Sequence, residues 1–306
     1  MHWKRAPYRL LSGRAMVEPM LTTFLLLQAA AHSPAIAAKS PSEIVAAAPD
    51  SAWRDIPADE LIVMELASGA RVTMQLAPAW APVHVDNIRK LAAAHWWDGT
   101  SVNRVQDNYV VQWGDATEKK KLPDGIAAQP PAEYWRASSA VKLRTLPYRD
   151  AYAARVGHSR GWPAASDGKS SWLVHCYGML GVGRGLAPDT GSGAELYTVA
   201  GHAPRHLDRN IAVVGRVLEG IEGLTGLPRG TGALGFYERE EQRAPIRSLR
   251  LGSELPNAPR WQYLDETSAA FAAYAEARAN RKDSFFNIPA GGADICNVAV
   301  PLRKRP

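Results

Sequence analysis

The sequence predicts a mainly β protein, built as a sandwich or a barrel. Its apolar residues fall into many short segments with the length and composition of strands, and turn residues separate these segments. Few segments have the three- to four-residue spacing of an amphipathic helix. Many short strands combined with few helices are typical of β-sandwiches and β-barrels.

A β-hairpin opens the regular part of the chain. The apolar segment 61–66 predicts a first strand, and Ser68 and Gly69 predict its turn. Segment 71–76 then alternates between its two faces, which predicts a second strand paired with the first.

An amphipathic helix follows the hairpin. Pro82 lies at its start, and Val85, Ile88 and Leu91 recur every three residues. The helix is expected to end near Gly99, since proline in the first turn and glycine after the last are common helix boundaries.

Seven further strands are predicted at residues 101–105, 109–112, 172–176, 179–182, 196–199, 211–217 and 246–251. The segment between residues 115 and 177 has no clear periodicity, and we expect an ordered excursion with one short helix near residues 132–137. Beyond residue 256, a proline-containing linker leads to an alanine-rich helix at about residues 266–282. Its apolar side, with Phe271 and Tyr274, should pack on the barrel or on a partner.

The N-terminal segment predicts export. Basic residues precede the apolar run 21–27, and Ala35-Ile36-Ala37 has the small-x-small pattern of a signal-peptidase site. We therefore expect residues 1–37 to be a signal peptide and the protein to be secreted or periplasmic. The apolar run is shorter than the ~20 residues that span a bilayer, so no stable membrane insertion is expected after signal removal, although a retained anchor is the alternative. Translation from Met16 or Met20 also remains open.

Charge and cysteine content limit the classes of partner. The formal net charge is +6, and half of it lies in residues 1–37, so the remainder is too weakly basic to predict nucleic-acid binding. The two cysteines, Cys176 and Cys296, permit one disulfide in an oxidising compartment. The sequence leaves open whether they form a bridge or remain two buried thiols.

Two short motifs resemble those of other enzymes only in their spelling. Gly157-His158-Ser159-Arg160-Gly161 has the spacing of a serine-hydrolase elbow, but Trp162-Pro163 follows instead of a helix. Residues 230–235 have the spacing of a dinucleotide-binding fingerprint without its strand and helix. Neither motif predicts a cofactor.

Residues 69–115 resemble the first half of a cyclophilin domain. In that family a phenylalanine-histidine-arginine-valine motif is followed by an aromatic residue and then by glutamine-glycine-glycine-aspartate. The matching segments keep this spacing without a gap, at residues 69–76, 81–82, 87, 97–100, 102–105 and 109–115. The second half is similar but looser, at residues 178–183, 194–199, 207–208, 213–220 and 245–251.

The resemblance implies a closed eight-stranded antiparallel barrel capped by helices, with a groove on its outside. It places a cyclophilin-like domain at residues 60–255, with an insertion at about residues 116–175. Outside this domain, the Ala, Pro and Ser content of residues 38–59 predicts a mobile lead-in linker, and residues 256–306 form a C-terminal extension.

The resemblance also implies peptidyl-prolyl cis-trans isomerase activity. Rotation about an X-Pro bond faces a barrier of about 18–20 kcal/mol from amide resonance. Catalysis requires tighter binding of the twisted amide than of either planar form, without a metal or other cofactor. Arg104 is the candidate for the guanidinium that stabilises the twisted amide, and Gln112 is expected to orient it. The substrate, a proline-containing polypeptide, would contact Tyr109, Val110, Gly183, Glu195, Tyr197 and Leu207.

Several positions depart from the family pattern. They are Asn103 for histidine, Val110 for methionine, Trp113 for glycine, Glu195 for glutamine and Tyr197 for phenylalanine, with His206 and Ile211 at tryptophan and histidine positions. A shallower and more polar pocket should bind proline less well. Two functions therefore remain open: an active isomerase for exported proteins, or a catalytically weak proline-binding or scaffold module that uses the same groove.

Overall fold

The computed structural model describes residues 38–305. The expected signal peptide at residues 1–37 lies outside the described residues. The helices are α1 (Pro41–Ala46), α2 (Pro82–Ala93), α3 (Glu222–Thr225) and α4 (Ala269–Ala279). None of the helices in residues 38–305 is long and apolar enough to cross a membrane.

The strands follow one another along the chain with short connections in most places. They are β1 (Trp53–Ile56), β2 (Leu61–Leu66), β3 (Arg71–Leu76), β4 (Ser101–Val105), β5 (Val110–Gly114), β6 (Arg136–Ala137), β7 (Arg144–Thr145), β8 (Arg155–Ser159), β9 (Trp162–Ser166), β10 (Ser170–Leu173), β11 (Met179–Val182), β12 (Leu196–Val199), β13 (Val213–Glu219), β14 (Ala244–Leu251), β15 (Trp261–Leu264) and β16 (Leu302–Lys304).

Eight of these strands form a closed antiparallel barrel in the order β11-β12-β5-β4-β14-β2-β3-β13, and β13 pairs back with β11. Inward-facing side chains of these strands fill its interior as one apolar cluster. On α2, Val85, Ile88 and Leu91 are fully buried against the same cluster. The predicted closed barrel capped by helices is confirmed.

The insertion has a different structure from the one the sequence predicts. It forms a five-stranded sheet in the order β6-β10-β9-β8-β7. Residues 132–137, predicted as a short helix, are not helical, and residues 136 and 137 form β6. Glu133 explains the difference, because its carboxylate accepts hydrogen bonds from the backbone N–H groups of Val83 and His84, each at 3.0 Å. The segment thereby caps the first turn of α2 in place of forming a helix.

The lead-in also differs from the mobile linker that its composition predicts. Its helix α1 starts with a capping box between Ser40 and Glu43. Its strand β1 pairs with β15, which pairs with β16, so the lead-in and the C-terminal extension share one three-stranded sheet. Trp53 and Ile56 are buried there, and this burial fixes the segment.

The C-terminal extension is attached to the rest of the chain at two further places. Phe271 and Tyr274 of α4 are buried in a second apolar cluster, which lies between the outer face of the barrel and the insertion. Cys176 and Cys296 form a disulfide with an S–S distance of 2.10 Å. The structure therefore selects the bridge between the two possibilities that the sequence leaves open.

Candidate active site

A row of side chains crosses three neighbouring strands on the outside of the barrel. Arg104 on β4 is opposite Gln112 on β5, and Gln112 is opposite Tyr197 on β12. The flanking residues Val111 and Leu196 point into the barrel core, so strand alternation directs the row outward. Arg104 and Tyr197 lie more than 90 residues apart in the sequence, and the pairing of the barrel strands brings them together.

The guanidinium of Arg104 is half-buried and held by three acceptors. Its Nη1 donates to Gln112 Oε1 at 3.2 Å, its Nε donates to the Leu234 carbonyl at 2.8 Å, and its Nη2 donates to Gln106 Oε1. Burial lowers the pKa of Arg104, yet arginine remains protonated at neutral pH. Because a guanidinium has five N–H groups, two remain for a ligand.

The row forms one side of a groove of about 590 Å³. Seven of the eight predicted site residues line it, namely Arg104, Tyr109, Val110, Gln112, Gly183, Tyr197 and Leu207. Most of its floor is apolar, and Ile211 adds to that floor. Tyr109 bounds one side, where its hydroxyl lies 3.1 Å from His206 Nε2 and the two rings stack. The groove therefore combines an apolar floor with the guanidinium of Arg104 at its edge.

Glu195 is the predicted site residue that does not line this groove. It lines a neighbouring cavity of about 490 Å³, together with Gln112 and Gly183. Its carboxyl group covers Gly114, where an added Cβ atom would lie 1.9 Å from Glu195 Oε1. Burial raises the pKa of Glu195 to about 7, although hydrogen bonds with Gln112 and Asn103 oppose the shift. Glu195 thus contacts Gln112, which also accepts a hydrogen bond from Arg104.

The ring of Tyr197 forms part of the apolar wall. It lies over Gly181, where an added Cβ atom would be 2.3 Å from the tyrosine Cζ. The Tyr197 hydroxyl is 2.9 Å from Nε2 of His175, which is also buried. Burial raises the pKa of Tyr197, so the hydroxyl stays protonated.

Sequence reasoning missed the contribution of residues 230–236. Leu234 and Phe236 line the groove, and Phe236 lies 5.2 Å from Arg104 Cζ in a cation–π arrangement. Three glycines allow this loop to fold back on itself: a Cβ at Gly230 would lie 2.0 Å from the Gly235 carbonyl oxygen, and Gly235 has φ +80°. The available signal was the Gly230-x-Gly232-x-x-Gly235 spacing, which marks a tight loop here and no dinucleotide site. Gln106 and Arg184 also line the groove without having been predicted.

Comparisons with known proteins identify the family and the fold. The family model for cyclophilin type peptidyl-prolyl cis-trans isomerase/CLD matches residues 61–250. The crystal structure of cyclophilin AquaCyp293 from Hirschia baltica is similar with a TM-score of 0.65 and 25% identity, over 82% of this chain and 93% of that chain. A cyclophilin type peptidyl-prolyl cis-trans isomerase from Cryptosporidium parvum, solved in the presence of the dipeptide Ala-Pro, has a TM-score of 0.40 and 12% identity, over 62% of this chain and 98% of that chain. Curated proteins give no significant match.

Proposed function

This chain belongs to the family of cyclophilin-type peptidyl-prolyl cis-trans isomerases, and from that premise we propose that it isomerises X-Pro bonds of exported proteins in the groove beside Arg104. The observation that carries the proposal is the pairing of Arg104 with Gln112 at the edge of an apolar groove. The pairing sets the orientation of the guanidinium before a substrate arrives, which is the condition for preferential binding of a transition state.

The proposed reaction is a rotation and breaks no covalent bond. As the amide twists, its nitrogen loses conjugation and gains a lone pair that accepts a hydrogen bond. An N–H group of Arg104 donates to that nitrogen and stabilises the twisted state more than either planar form. Gln112 holds the guanidinium from behind through its Oε1 atom.

The apolar floor holds the proline ring in this proposal. Val110, Tyr197 and Leu207 supply the contact surface, and Tyr109 bounds the side near His206. Gly183 leaves the groove open toward the neighbouring cavity, where the residue preceding the proline and its neighbours would lie beside Glu195.

A second candidate function is a proline-binding module with weak catalysis. It is favoured by the state of Arg104, because three of its N–H groups are already engaged by Leu234, Gln112 and Gln106. The binding surface would be the same, but the guanidinium would act as a fixed wall and contribute little to the twisted amide.

Export is the further part of the proposal. The expected signal peptide at residues 1–37 and the Cys176–Cys296 disulfide both support an oxidising compartment. We expect protein isolated from a cell envelope or culture medium to lack residues 1–37. An intact mass that includes them would contradict this part alone.

The two candidate functions differ in one measurement on the purified chain without residues 1–37. Exchange NMR of a short X-Pro peptide, without a coupled protease, reports binding and isomerisation in the same sample. If the chain is an isomerase, cis–trans exchange should be far faster than the uncatalysed exchange, which takes tens to hundreds of seconds. Shifted peptide resonances without faster exchange would replace it with the binding module.

A further inference from the structure

A buried series of polar side chains leads away from the apolar wall of the groove. The Tyr197 hydroxyl is 2.9 Å from His175 Nε2, and His175 Nδ1 is 2.9 Å from Asp208 Oδ1. The other oxygen of Asp208 accepts a hydrogen bond from Arg205 Nε at 3.0 Å. Tyr197, His175 and Arg205 are each at most 4% exposed, so this series has almost no contact with solvent.

Arg205 extends the series into two segments that the family resemblance does not cover. Its Nη atoms donate to both oxygens of Asp150 in the insertion, at 2.8 and 3.0 Å. Its Nη1 also lies 3.6 Å from Asp294 in the C-terminal extension. Burial lowers the pKa of Arg205, but the carboxylates of Asp150 and Asp208 outweigh burial and raise it.

The series fixes the His175 ring in one orientation. Asp208 Oδ1 accepts from the backbone N–H of His175 as well as from the ring Nδ1, both at 2.9 Å. With the Nδ1 proton donated to a carboxylate, the Nε2 lone pair accepts from the Tyr197 hydroxyl. The two aromatic rings are nearly parallel, with 12° between their planes.

Tyr197 is therefore held at both its face and its tip. Gly181 provides the space beneath the ring, and His175 satisfies the hydroxyl. A buried hydroxyl without a partner is costly, so a tyrosine in an apolar wall requires such an acceptor. Loss of the acceptor leaves the ring free to move toward a polar contact elsewhere and disturbs the wall.

We propose that His175 is a positioning residue for the proline pocket, and that through Asp208 and Arg205 it connects this pocket to the insertion and to the C-terminal extension. The inference rests on the proposed function, since it assigns the wall of the groove as the surface that holds proline. His175 acts through Tyr197 and does not touch the substrate. Through these contacts, the insertion and the extension help to hold the shape of the groove.

Two conservative variants separate the two contacts of His175. Glutamine places an amide oxygen near the position of Nε2, so His175→Gln keeps an acceptor for Tyr197. Asparagine places its amide near Nδ1, so His175→Asn keeps only the contact with Asp208. The control is His84→Asn, because His84 is equally buried and also contacts a carboxylate, Glu133 at 2.7 Å, but lies outside the groove.

The expected result is a change in substrate binding rather than in turnover. Peptide titrations followed by exchange NMR should show His175→Asn raising KM about tenfold, the effect of one unsatisfied buried polar group, with kcat within about twofold of wild type. His175→Gln should restore most of the affinity. His84→Asn should lower the melting temperature without raising KM. In a double-mutant cycle, Tyr197→Phe should bring KM back toward the wild-type value in the His175→Asn background, because it removes the unpaired hydroxyl.

NMR of the histidine ring nitrogens tests the contact between His175 and Tyr197 even in a variant without activity. It should show the His175 proton on Nδ1, and Tyr197→Phe should shift the Nε2 resonance. Equal KM values for wild type and both His175 variants, in an active wild type, would overturn the inference and leave the proposed function standing. A wild type that neither binds nor isomerises X-Pro peptides would remove the proposed function and the inference with it. If His175→Asn does not fold, the ring-nitrogen spectra of wild type and Tyr197→Phe decide the matter, and an Nε2 resonance that does not respond to Tyr197→Phe would overturn the inference.

Discussion

Glu195 carries a mostly buried carboxyl group beside the groove. Burial raises its pKa from 4.5 to about 7. Hydrogen bonds with Gln112 and Asn103 lower this pKa, and the charge of the nearby Asp115 carboxyl group raises it. The family pattern has a neutral glutamine at this position. A protonated Glu195 resembles that glutamine more closely than an ionised one does, since both are neutral and both can donate a hydrogen bond.

This shift predicts a pH-dependent stability. Because the folded pKa lies above the unfolded one, the folded chain binds the proton more tightly, and stability falls as pH rises from about 4.5 to about 7. Between about pH 5 and pH 8, wild type should lose up to ~3 kcal/mol of unfolding free energy relative to Glu195→Gln, since one pKa unit corresponds to about 1.4 kcal/mol. Urea unfolding at the two pH values measures the difference.

The exposed Glu240 offers a matched control for this experiment. Glu240→Gln removes the same charge from a solvated position and should leave the wild-type pH dependence nearly unchanged. Parallel pH dependences for wild type and Glu195→Gln would show that Glu195 titrates as an ordinary surface carboxyl group.

At the scale of elements, the loop formed by residues 230–236 is the part of the site that lies farthest from Arg104 in sequence. The Leu234 carbonyl accepts from Arg104 Nε, and Phe236 forms an isolated bridge with Arg104. Gly235 packs closely against the residue that follows β4, because an added Cβ would lie 2.8 Å from the Gln106 Cα.

Substitution of this glycine should therefore displace the loop from Arg104. Gly235→Ala should reduce kcat/KM for an X-Pro peptide by about 10- to 100-fold, the scale for a catalytic group moved by about 1 Å. Gly69→Ala is the control, since Gly69 has a similar φ of +88° but open space around its Cβ position, in the turn between β2 and β3. Both variants should lose about 1–2 kcal/mol of stability from the left-handed backbone. Equal activities of the two variants would mean that the loop does not position Arg104.

The elements differ in how far the sequence predicts them. The β2–β3 hairpin and α2 were predictable because local alternation and three-residue spacing specify them. The predicted strand at residues 172–176 overlaps β10 of the insertion sheet. The rest of that sheet was not predictable, because β9 is buried at all five of its residues and so lacks alternation. Its neighbours β6 and β7 are only two residues long.

The site follows the same division. Arg104 and Gln112 were predictable because they lie eight residues apart within one continuous motif. The contacts of Tyr197 with His175 and of Arg104 with Leu234 depend on long-range folding, across separations of 22 and 130 residues. A polar partner for Tyr197 follows from the cost of a buried hydroxyl, but the sequence does not say which residue provides it.

At the scale of the whole molecule, a disulfide joins the C-terminal extension to the chain just after the insertion. Cys176 directly follows His175 in the sequence, and its disulfide with Cys296 closes a loop of 120 residues. Closing so long a loop restricts the unfolded chain strongly. The double variant Cys176→Ser/Cys296→Ser should therefore lose about 2–5 kcal/mol of unfolding free energy.

Thermal unfolding of wild type with and without a thiol reductant checks this expectation. The reductant should lower the melting temperature of wild type and leave that of the double variant unchanged. A double variant as stable as oxidised wild type would contradict a stabilising role for the bridge.

In the proposed mechanism the guanidinium of Arg104 stabilises the twisted amide, and kcat/KM of Arg104 variants for an X-Pro peptide tests this role most directly. Arg104→Ala should lower kcat/KM by about 10²–10³, the effect of removing one preorganised donor to a transition state. Arg104→Lys should restore little, because a point charge lacks the planar arrangement of donors that Gln112 and Leu234 hold. The melting temperature should change little, since Arg104 lies outside the barrel core. Isomerase activity that survives Arg104→Ala, in a folded protein, would contradict the account.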